Sequence, residues 1–301
     1  MLLANDLRPR RALGQNFVAD GNTVRRIVRL AGITEGRHVV EIGAGLGSLT
    51  LALVEAGASV TAVEIDRDVV PVLRAQVEPL GVRVVEADAL QLDWADLLGP
   101  PPTGDGAPDG DPWSLVANLP YNVAVPLVIR VLEEAPLVTS LLVMVQREVG
   151  ERLAAVAGDD AYGAVSVKVA YWARATVVGR VPASVFIPRP RVESVLVRLD
   201  RHRAPTGVER PESSLVSGGI PLTGGPGSAT YDRLFTVVRG GFAHRRKMLR
   251  RSLEGLVRPE AFDATGIRAT ARAEELTLSE WERLASWEGE GLPHPAYGSG
   301  R

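Results

Sequence analysis

Short apolar runs rich in β-branched residues recur along the first two thirds of the chain, with stretches of helical periodicity between them. Seven strands are predicted, over residues 39–42, 60–64, 82–86, 115–118, 141–145, 176–181 and 194–199. A helix is predicted over 22–31 before the first strand, and four more separate the first five strands, over 46–56, 69–77, 93–98 and 125–134. Strands that alternate with helices are typical of a mostly parallel, doubly wound sheet. We therefore expect an α/β fold with a ligand at the carboxyl ends of the strands.

Two segments rich in glycine and proline interrupt this pattern. Residues 99–112 are expected to form a surface loop, and residues 204–230 a linker or insertion. Helical periodicity resumes beyond it, over residues 233–256, 259–263 and 279–287. The predicted domains are an α/β domain of residues 1–202, a linker or insertion of residues 203–230 and an all-helical domain of residues 231–301.

The composition excludes several classes of site. The chain of 301 residues contains no cysteine, which rules out disulfides, cysteine-ligated zinc and thiol catalysis. Its four histidines show no metal-ligand spacing, so no metal site is expected. No apolar run reaches the roughly 18–20 residues that a membrane helix needs, and residues 1–15 lack the apolar core of a signal peptide. We expect a soluble, cytoplasmic protein without a membrane segment.

The net charge of −2 is unfavourable for a nucleic-acid-binding protein, because affinity for RNA depends largely on neutralising phosphates. The charge is unevenly distributed, however. One basic cluster opens the chain, with Arg8, Arg10, Arg11, Arg25, Arg26 and Arg29. A denser one lies within the predicted helix over 233–256 and includes Arg245, Arg246, Lys247, Arg250 and Arg251. Basic runs are often solvated helix faces. The alternative to a solvated face is a functional one, and we predict that this helix binds RNA phosphates.

A glycine-rich turn follows the first predicted strand, in the sequence VVEIGAGLGSLT at 39–50. Gly43 and Gly45 allow a sharp turn and a close approach of the backbone to a nucleoside. Glu64 ends the second strand, where an acid can accept hydrogen bonds from ribose hydroxyls. Asp88 follows the third strand, where a carboxylate can bind an adenine amine. Structural turns and strand-end caps use the same residue types, but the glycine turn and Glu64 together favour an adenosine-containing cofactor.

The fourth strand ends in Asn118, Leu119, Pro120 and Tyr121. An adenine amine is a poor nucleophile, because its lone pair is delocalised into the ring. The Asn118 side-chain oxygen and the Leu119 carbonyl can hold the amine hydrogens and direct the lone pair at a methyl sulfonium. Pro120 fixes the backbone, and Tyr121 can stack on a base taken out of its helix. The alternative is an ordinary turn after a buried strand, but the position after the glycine turn favours catalysis.

These motifs resemble the KsgA/Erm/Dim family of ribosomal RNA adenine dimethyltransferases, and within it the branch that modifies the bacterial small ribosomal subunit. The matching stretches, in family order, are LGQNFVAD (13–20), VVEIGAGLGSLT (39–50), TAVEIDRD (61–68), EADAL (86–90), VANLPYNVAVPL (116–127), MVQREVGERL (144–153), AYGAVSV (161–167), VPASVFIPRPRVESVLVRL (181–199) and FAHRRKMLRRSL (242–253). The resemblance implies a class I methyltransferase (Rossmann-like) fold with a small C-terminal all-helical domain.

The resemblance also implies S-adenosyl-L-methionine as the cofactor and a role for each motif residue. The cofactor-binding set would be Asn16 and Val18 closing over it, Gly43 and Gly45 against it, Glu64 on the ribose, Asp88 on the adenine amine and Asn118 between cofactor and target. Tyr121 and Phe186 would sandwich the flipped adenine. The implied substrate is N6 of two adjacent adenosines in the 3′-terminal hairpin of 16S ribosomal RNA, within the small subunit or its precursor. We expect the protein to act as a monomer.

Three alternatives differ in class. The Erm branch methylates large-subunit RNA and confers macrolide resistance, but Gly14, Leu119 and the basic run at 245–247 favour the small-subunit branch. A nicotinamide-dependent oxidoreductase would need a GxGxxG turn and a hydride-transfer residue, and the sequence shows neither. A ribosome assembly factor without catalytic activity is disfavoured by the intact Asn118 and Tyr121.

Overall fold

The computed structural model describes residue 10 and residues 15–99, 112–202 and 225–287. Contacts divide these residues into two compact units, the first containing residues 10, 15–99, 112–155 and 168–202 and the second containing residues 156–167 and 225–287. Residues 156–167, inside the predicted α/β domain, thus group with the second unit. Gly14, most of the predicted loop over 99–112 and most of the predicted linker over 203–230 lie outside the described residues.

The first unit is built on a seven-stranded sheet, which confirms all seven predicted strands. The strands of the described chain are β1 (Phe17–Val18), β2 (His38–Ile42), β3 (Ser59–Glu64), β4 (Arg83–Glu86), β5 (Trp113–Asn118), β6 (Val138–Gln146), β7 (Ala173–Val181), β8 (Phe186–Ile187) and β9 (Ser194–Arg201). The sheet order is β4-β3-β2-β5-β6-β9-β7, parallel from β4 to β6 and antiparallel in the pairs β6–β9 and β7–β9. The central strand β2 therefore places the turn after it between the ends of β3 and β5.

The remaining two strands, β1 and β8, form a separate antiparallel ribbon that the sequence did not predict. Phe17 pairs with Ile187 and Val18 with Phe186. Each strand has only two residues, too few for an alternating pattern to be visible.

The helices of the sheet region include all five that were predicted. They are α1 (Gly21–Ala31), α2 (Ser48–Glu55), α3 (Val70–Val77), α4 (Trp94–Leu98), α5 (Ala124–Glu134), α6 (Arg147–Ala154) and α7 (Ala164–Trp172). Two were missed for opposite reasons. In α6 only Gly150 and Leu153 are buried, so its apolar face is narrow and the helix is mostly polar, whereas α7 is apolar on nearly every side and has no period.

Local signals explain how α1 is placed against the sheet. Asp20 caps its first turn by accepting from the amides of Asn22 and Thr23, and Gly32 ends it in the left-handed conformation. Its buried face joins the core that also contains residues of β2 and β3. Burial of a side chain such as Ile27 contributes about 1.5–3 kcal/mol. The chain preceding α1 is thereby anchored beside the carboxyl end of the sheet.

The second unit contains α8 (Ala229–Ala243), α9 (Leu249–Ser252), α10 (Glu260–Thr265) and α11 (Leu278–Ser286). The helices predicted over 259–263 and 279–287 are confirmed by α10 and α11. The single helix predicted over 233–256 is wrong, because α8 ends at Ala243 and a turn separates it from α9. The Leu249 amide bonds the Ala271 oxygen over 2.8 Å, so pairing with a later segment outweighs continuation of the helix.

Candidate methyltransferase site

The glycine turn after β2 has the left-handed backbone that favours glycine. Gly43 and Gly45 have φ values of 71° and 55°. A Cβ added at Gly45 would lie 2.8 Å from Phe17 Cε1, so only glycine lets the N-terminal segment approach this closely. A Cβ added at Gly43 would lie 3.7 Å from the Asn118 carbonyl oxygen. The glycine turn and the turn after β5 are therefore neighbours.

The Glu64 carboxylate at the end of β3 organises this turn. Its Oε2 accepts the Gly45 amide over 2.7 Å, while its Oε1 accepts the amides of Ile65 and Asp66, each over 2.9 Å. Burial raises the pKa of Glu64, and the three backbone donors oppose that rise. The side chain thus fixes the glycine loop and also lines the cavity beside it.

Glu41, which lies in β2 two residues before Gly43, was not among the predicted site residues. It is buried, it lines the cavity, and within the described residues its Oε2 has no hydrogen-bond partner. Burial raises the pKa of Glu41 to about 8; the Thr50 side chain opposes that rise, and the charge of Glu64 adds a smaller contribution to it. A buried carboxyl with an unsatisfied oxygen at a cavity wall is suited to a polar ligand group. The only signal in the sequence was the occurrence of an acid directly before Ile42, the last residue of the otherwise apolar strand predicted over 39–42.

Asp88 follows β4, at the carboxyl end of that strand. Its Oδ1 accepts the Leu90 amide over 2.9 Å, and its Oδ2 accepts the Gln91 side-chain amide over 3.1 Å. The carboxylate therefore caps the local turn. Asp88 also lines the same cavity as the glycine turn.

The turn after β5 is held by contacts on both sides. Asn118 donates from Nδ2 to the backbone oxygen of Asn16 over 2.8 Å, which leaves Oδ1 as the acceptor end of the amide. The Leu119 amide donates to the Met144 oxygen of β6 over 3.1 Å. The Tyr121 hydroxyl lies 3.2 Å from the Ser194 hydroxyl at the start of β9. None of these bonds uses the Asn118 Oδ1.

These elements surround one cavity of about 270 Å³. The predicted residues that line it are Asn16, Val18, Gly43, Gly45, Glu64, Asp88, Asn118, Leu119, Pro120 and Tyr121. Phe186 is not part of this lining: it is 3% exposed and packs in the core beneath the β1–β8 ribbon. Gln15 and Phe17 line the cavity although the sequence did not single them out.

The predicted RNA-binding residues lie in the second unit, on the turn between α8 and α9 and on α9. All five, Arg245, Arg246, Lys247, Arg250 and Arg251, are exposed. Arg245 is held by Glu274 over 2.7 Å, and Arg251 lies 3.9 Å from Glu254. In the described chain no ion pair involves the other three. In the other basic cluster, Arg10 is paired with Asp66.

The described residues contain no group of three or more histidine, cysteine, aspartate or glutamate side chains that could hold a metal ion. Their helices include none with the length and apolar character needed to cross a membrane.

A mostly parallel seven-stranded sheet, with a glycine turn after β2 and an acid at the end of β3, defines the class I methyltransferase fold. A protein-family model described as "Ribosomal RNA adenine dimethylase" matches residues 7–213. The chain belongs to the ribosomal RNA adenine dimethylase family.

Curated relatives resemble the chain over nearly all of its length. A "Ribosomal RNA small subunit methyltransferase A" from Corynebacterium jeikeium is 43% identical over 303 residues, covering 93% of this chain and 91% of the relative. The protein of the same name from Kineococcus radiotolerans is 44% identical over 290 residues, covering 93% and 86%.

Solved structures share the fold at lower identity. A dimethyladenosine transferase from Plasmodium falciparum has a TM-score of 0.67 at 22% identity and covers 89% of this chain and 95% of its own. The 23S rRNA methyltransferase ErmE has a TM-score of 0.63 at 24% identity, with coverage of 89% and 98%. At these identities the similarity shows the fold alone.

Proposed function

We propose that this protein transfers methyl groups from S-adenosyl-L-methionine to N6 of two adjacent adenosines in the 3′-terminal hairpin of 16S ribosomal RNA. The observation that carries this proposal is that the glycine turn and the Asn118–Tyr121 turn line one cavity, with Gly43 against the Asn118 carbonyl. The small-subunit names of the curated relatives support the choice of substrate. The proposed setting is a monomer acting in the cytoplasm on the small subunit or its precursor.

The cavity fits an adenosine-containing sulfonium in three respects. Gly43 and Gly45 line the cavity without side chains, so a ligand can approach their backbone closely. Glu64 and Asp88 supply carboxylate oxygens along two neighbouring strand ends for ribose hydroxyls and an adenine amine. The unpartnered Glu41 Oε2 supplies a polar group for the amino-acid end. When bound, the cofactor supplies the electrophilic methyl group.

The residues after β5 then act by positioning. The Asn118 Oδ1 and the Leu119 carbonyl accept the two amine hydrogens of the target adenine, which turns its lone pair toward the methyl group. The bond from Asn118 Nδ2 to Asn16 selects the amide orientation that presents Oδ1. Because the acceptors are already oriented, little reorganisation is needed at the moment of reaction.

The target base needs an apolar surface on which to stack once it leaves its helix. Tyr121 lines the cavity and is fixed through Ser194, so its ring is the proposed platform. Phe186 is proposed as the second side of the sandwich. Because it is buried beside β1, this role requires a change in its side-chain position on RNA binding.

A methylation assay tests the proposal. The protein is incubated with labelled S-adenosyl-L-methionine and either small-subunit particles that lack dimethyladenosine or protein-free large-subunit RNA. Incorporation into the small-subunit particles is expected. Incorporation only into the large-subunit RNA would instead assign the Erm-type activity, and incorporation into neither would contradict the proposal.

A further inference from the structure

One wall of the cavity is a short N-terminal segment, residues 15–18. From its C-terminal side the segment is held by the β1–β8 ribbon and by the Ala19 amide, which donates to the Val185 oxygen over 2.8 Å. In the middle, the Asn16 carbonyl accepts from Asn118. Opposite lies the glycine turn, with Phe17 against Gly45. A ligand in the cavity would therefore lie against residues 15–18, which these contacts hold in place.

The N-terminal side of the segment is held by Asp66, which the predicted function does not use. The Asp66 Oδ2 accepts from Gln15 Nε2 over 2.7 Å, and its Oδ1 accepts from Arg10 Nη1 over 3.1 Å. Asp66 is 3% exposed, so this carboxylate has lost most of its hydration and depends on these donors. Gln15 is further fixed because its Oε1 accepts the Arg10 amide over 2.8 Å.

Asp66 is also connected to the glycine turn through the backbone. Its amide donates to Glu64 Oε1, and Glu64 Oε2 accepts the amide of Gly45. A continuous set of hydrogen bonds thus joins the floor of the cavity to the segment that covers it. Asp66 itself is absent from the cavity lining, and its side chain reaches that lining through its bond to Gln15.

We propose that Asp66 is a positioning residue that holds the 15–18 segment over the cofactor cavity through Gln15. This rests on the proposed function, because the occupant of the cavity is taken to be S-adenosyl-L-methionine. The contribution of Arg10 is smaller, since its side chain is 48% exposed and its pairing is screened by solvent.

The test is calorimetric titration of the full chain with S-adenosyl-L-methionine. The Asp66→Asn variant keeps one side-chain oxygen, which can still accept the Asp68 amide that bonds Asp66 Oδ1 over 3.1 Å. Its new NH₂ group replaces the second acceptor and faces the donors of Gln15 and Arg10. We expect about a tenfold loss of affinity in Asp66→Asn and in Gln15→Ala. The matched control is Asp96→Asn, an exposed aspartate on α4 outside the cavity lining, which should stay within about twofold of the unmodified protein.

Kinetics and a double variant separate positioning from a purely structural effect. In Asp66→Asn the KM for the cofactor should rise about tenfold, while kcat at saturating cofactor should change less than about twofold. In the Asp66→Asn/Gln15→Ala double variant the loss should be smaller than the product of the single losses. Fully multiplicative losses would contradict action through Gln15.

The failures of the two proposals are distinguishable. If the unmodified protein takes up no cofactor, the proposed function fails. If the unmodified protein binds and Asp66→Asn and Gln15→Ala bind equally well, the positioning role is wrong while the proposed function stands. Should Asp66→Asn not fold, Gln15→Glu decides, because it keeps the Oε1 that accepts the Arg10 amide and loses only the Nε2 donor to Asp66; unchanged affinity in a folded Gln15→Glu variant would show that the positioning role is wrong.

Discussion

The Asn118 side chain donates its Nδ2 hydrogen to the backbone oxygen of Asn16 over 2.8 Å, across a separation of 102 positions in the chain. The bond joins the turn that would hold the target amine to the segment that covers the cavity. It also fixes which end of the Asn118 amide is available as an acceptor. One residue thereby belongs to the cofactor side and the target side of the site.

Replacement of Asn118 tests this double role. In Asn118→Ala the acceptor for the target amine is lost, and we expect kcat to fall by about 10²–10³. The side chain is only partly buried, so the thermal midpoint should fall by no more than about 5 °C. Single-turnover methylation and thermal unfolding measure the two effects. A folded variant with a near-normal rate would rule out the proposed positioning mechanism.

Gly45→Ala tests the close approach of the N-terminal segment. The new methyl group would collide with Phe17 in addition to straining a left-handed backbone, so the segment should be displaced and cofactor affinity should fall by more than about tenfold. Gly36→Ala is the control, because Gly36 has a φ of +78° but no atom within 4 Å of the added Cβ. It should lose about 1–2 kcal/mol of stability and keep its affinity. Equal affinities in the two variants would show that the Phe17 contact is unimportant.

The buried Glu41 carboxyl should give the stability of the protein an unusual dependence on pH. The pKa of its carboxyl is raised from 4.5 to about 8 by burial, so the unfolded chain releases this proton at lower pH than the folded protein does. The free energy of unfolding should therefore decrease as the pH rises from 4.5 to about 8. Gln cannot ionise, so Glu41→Gln removes this decrease.

Urea unfolding of both proteins between about pH 5 and pH 8 measures the effect. Relative to Glu41→Gln, the unmodified protein should lose about 1.4 kcal/mol per pH unit. A difference between the two proteins that does not vary with pH would mean that Glu41 is ionised in the folded state.

The exposed basic turn is expected to bind RNA phosphates. Neutralising Arg246, Lys247 and Arg250 to Gln should weaken binding to small-subunit particles and reduce the salt dependence of log Kd by about 0.7–0.9 per lost contact. Arg74→Gln serves as the control, because Arg74 is an exposed arginine of α3 already paired with Glu78. An unchanged salt slope in the triple variant would disprove phosphate binding by this turn.

The sheet could be predicted from the sequence because the pattern that marks each strand is local. Each central strand is a short apolar run bounded by a turn, and the residues that follow β2, β3, β4 and β5 meet at one edge in any doubly wound sheet. The glycine turn and the turn after β5 could therefore be placed side by side from pattern alone. The structural counterpart of that prediction is the position of Gly43, where an added Cβ would lie 3.7 Å from the Asn118 carbonyl oxygen.

The features that were not predicted depend on pairings between distant residues. The bond from Gln15 to Asp66 spans 51 positions, and the β1–β8 ribbon that buries Phe186 joins two-residue strands. The basic run at 245–247 has helical propensity, yet the Leu249–Ala271 pairing turns the chain there. Propensity is a weak prior where a tertiary contact competes with it.

The most direct measurement of the central claim is a map of dimethyladenosine in ribosomal RNA, by mass spectrometry, from cells with and without this protein. The account predicts two adjacent dimethyladenosines near the 3′ end of the small-subunit RNA that disappear when the protein is absent and return with the unmodified chain but not with Asn118→Ala. Persistence of both modified bases in cells that lack the protein, or a loss confined to the large-subunit RNA, would contradict it.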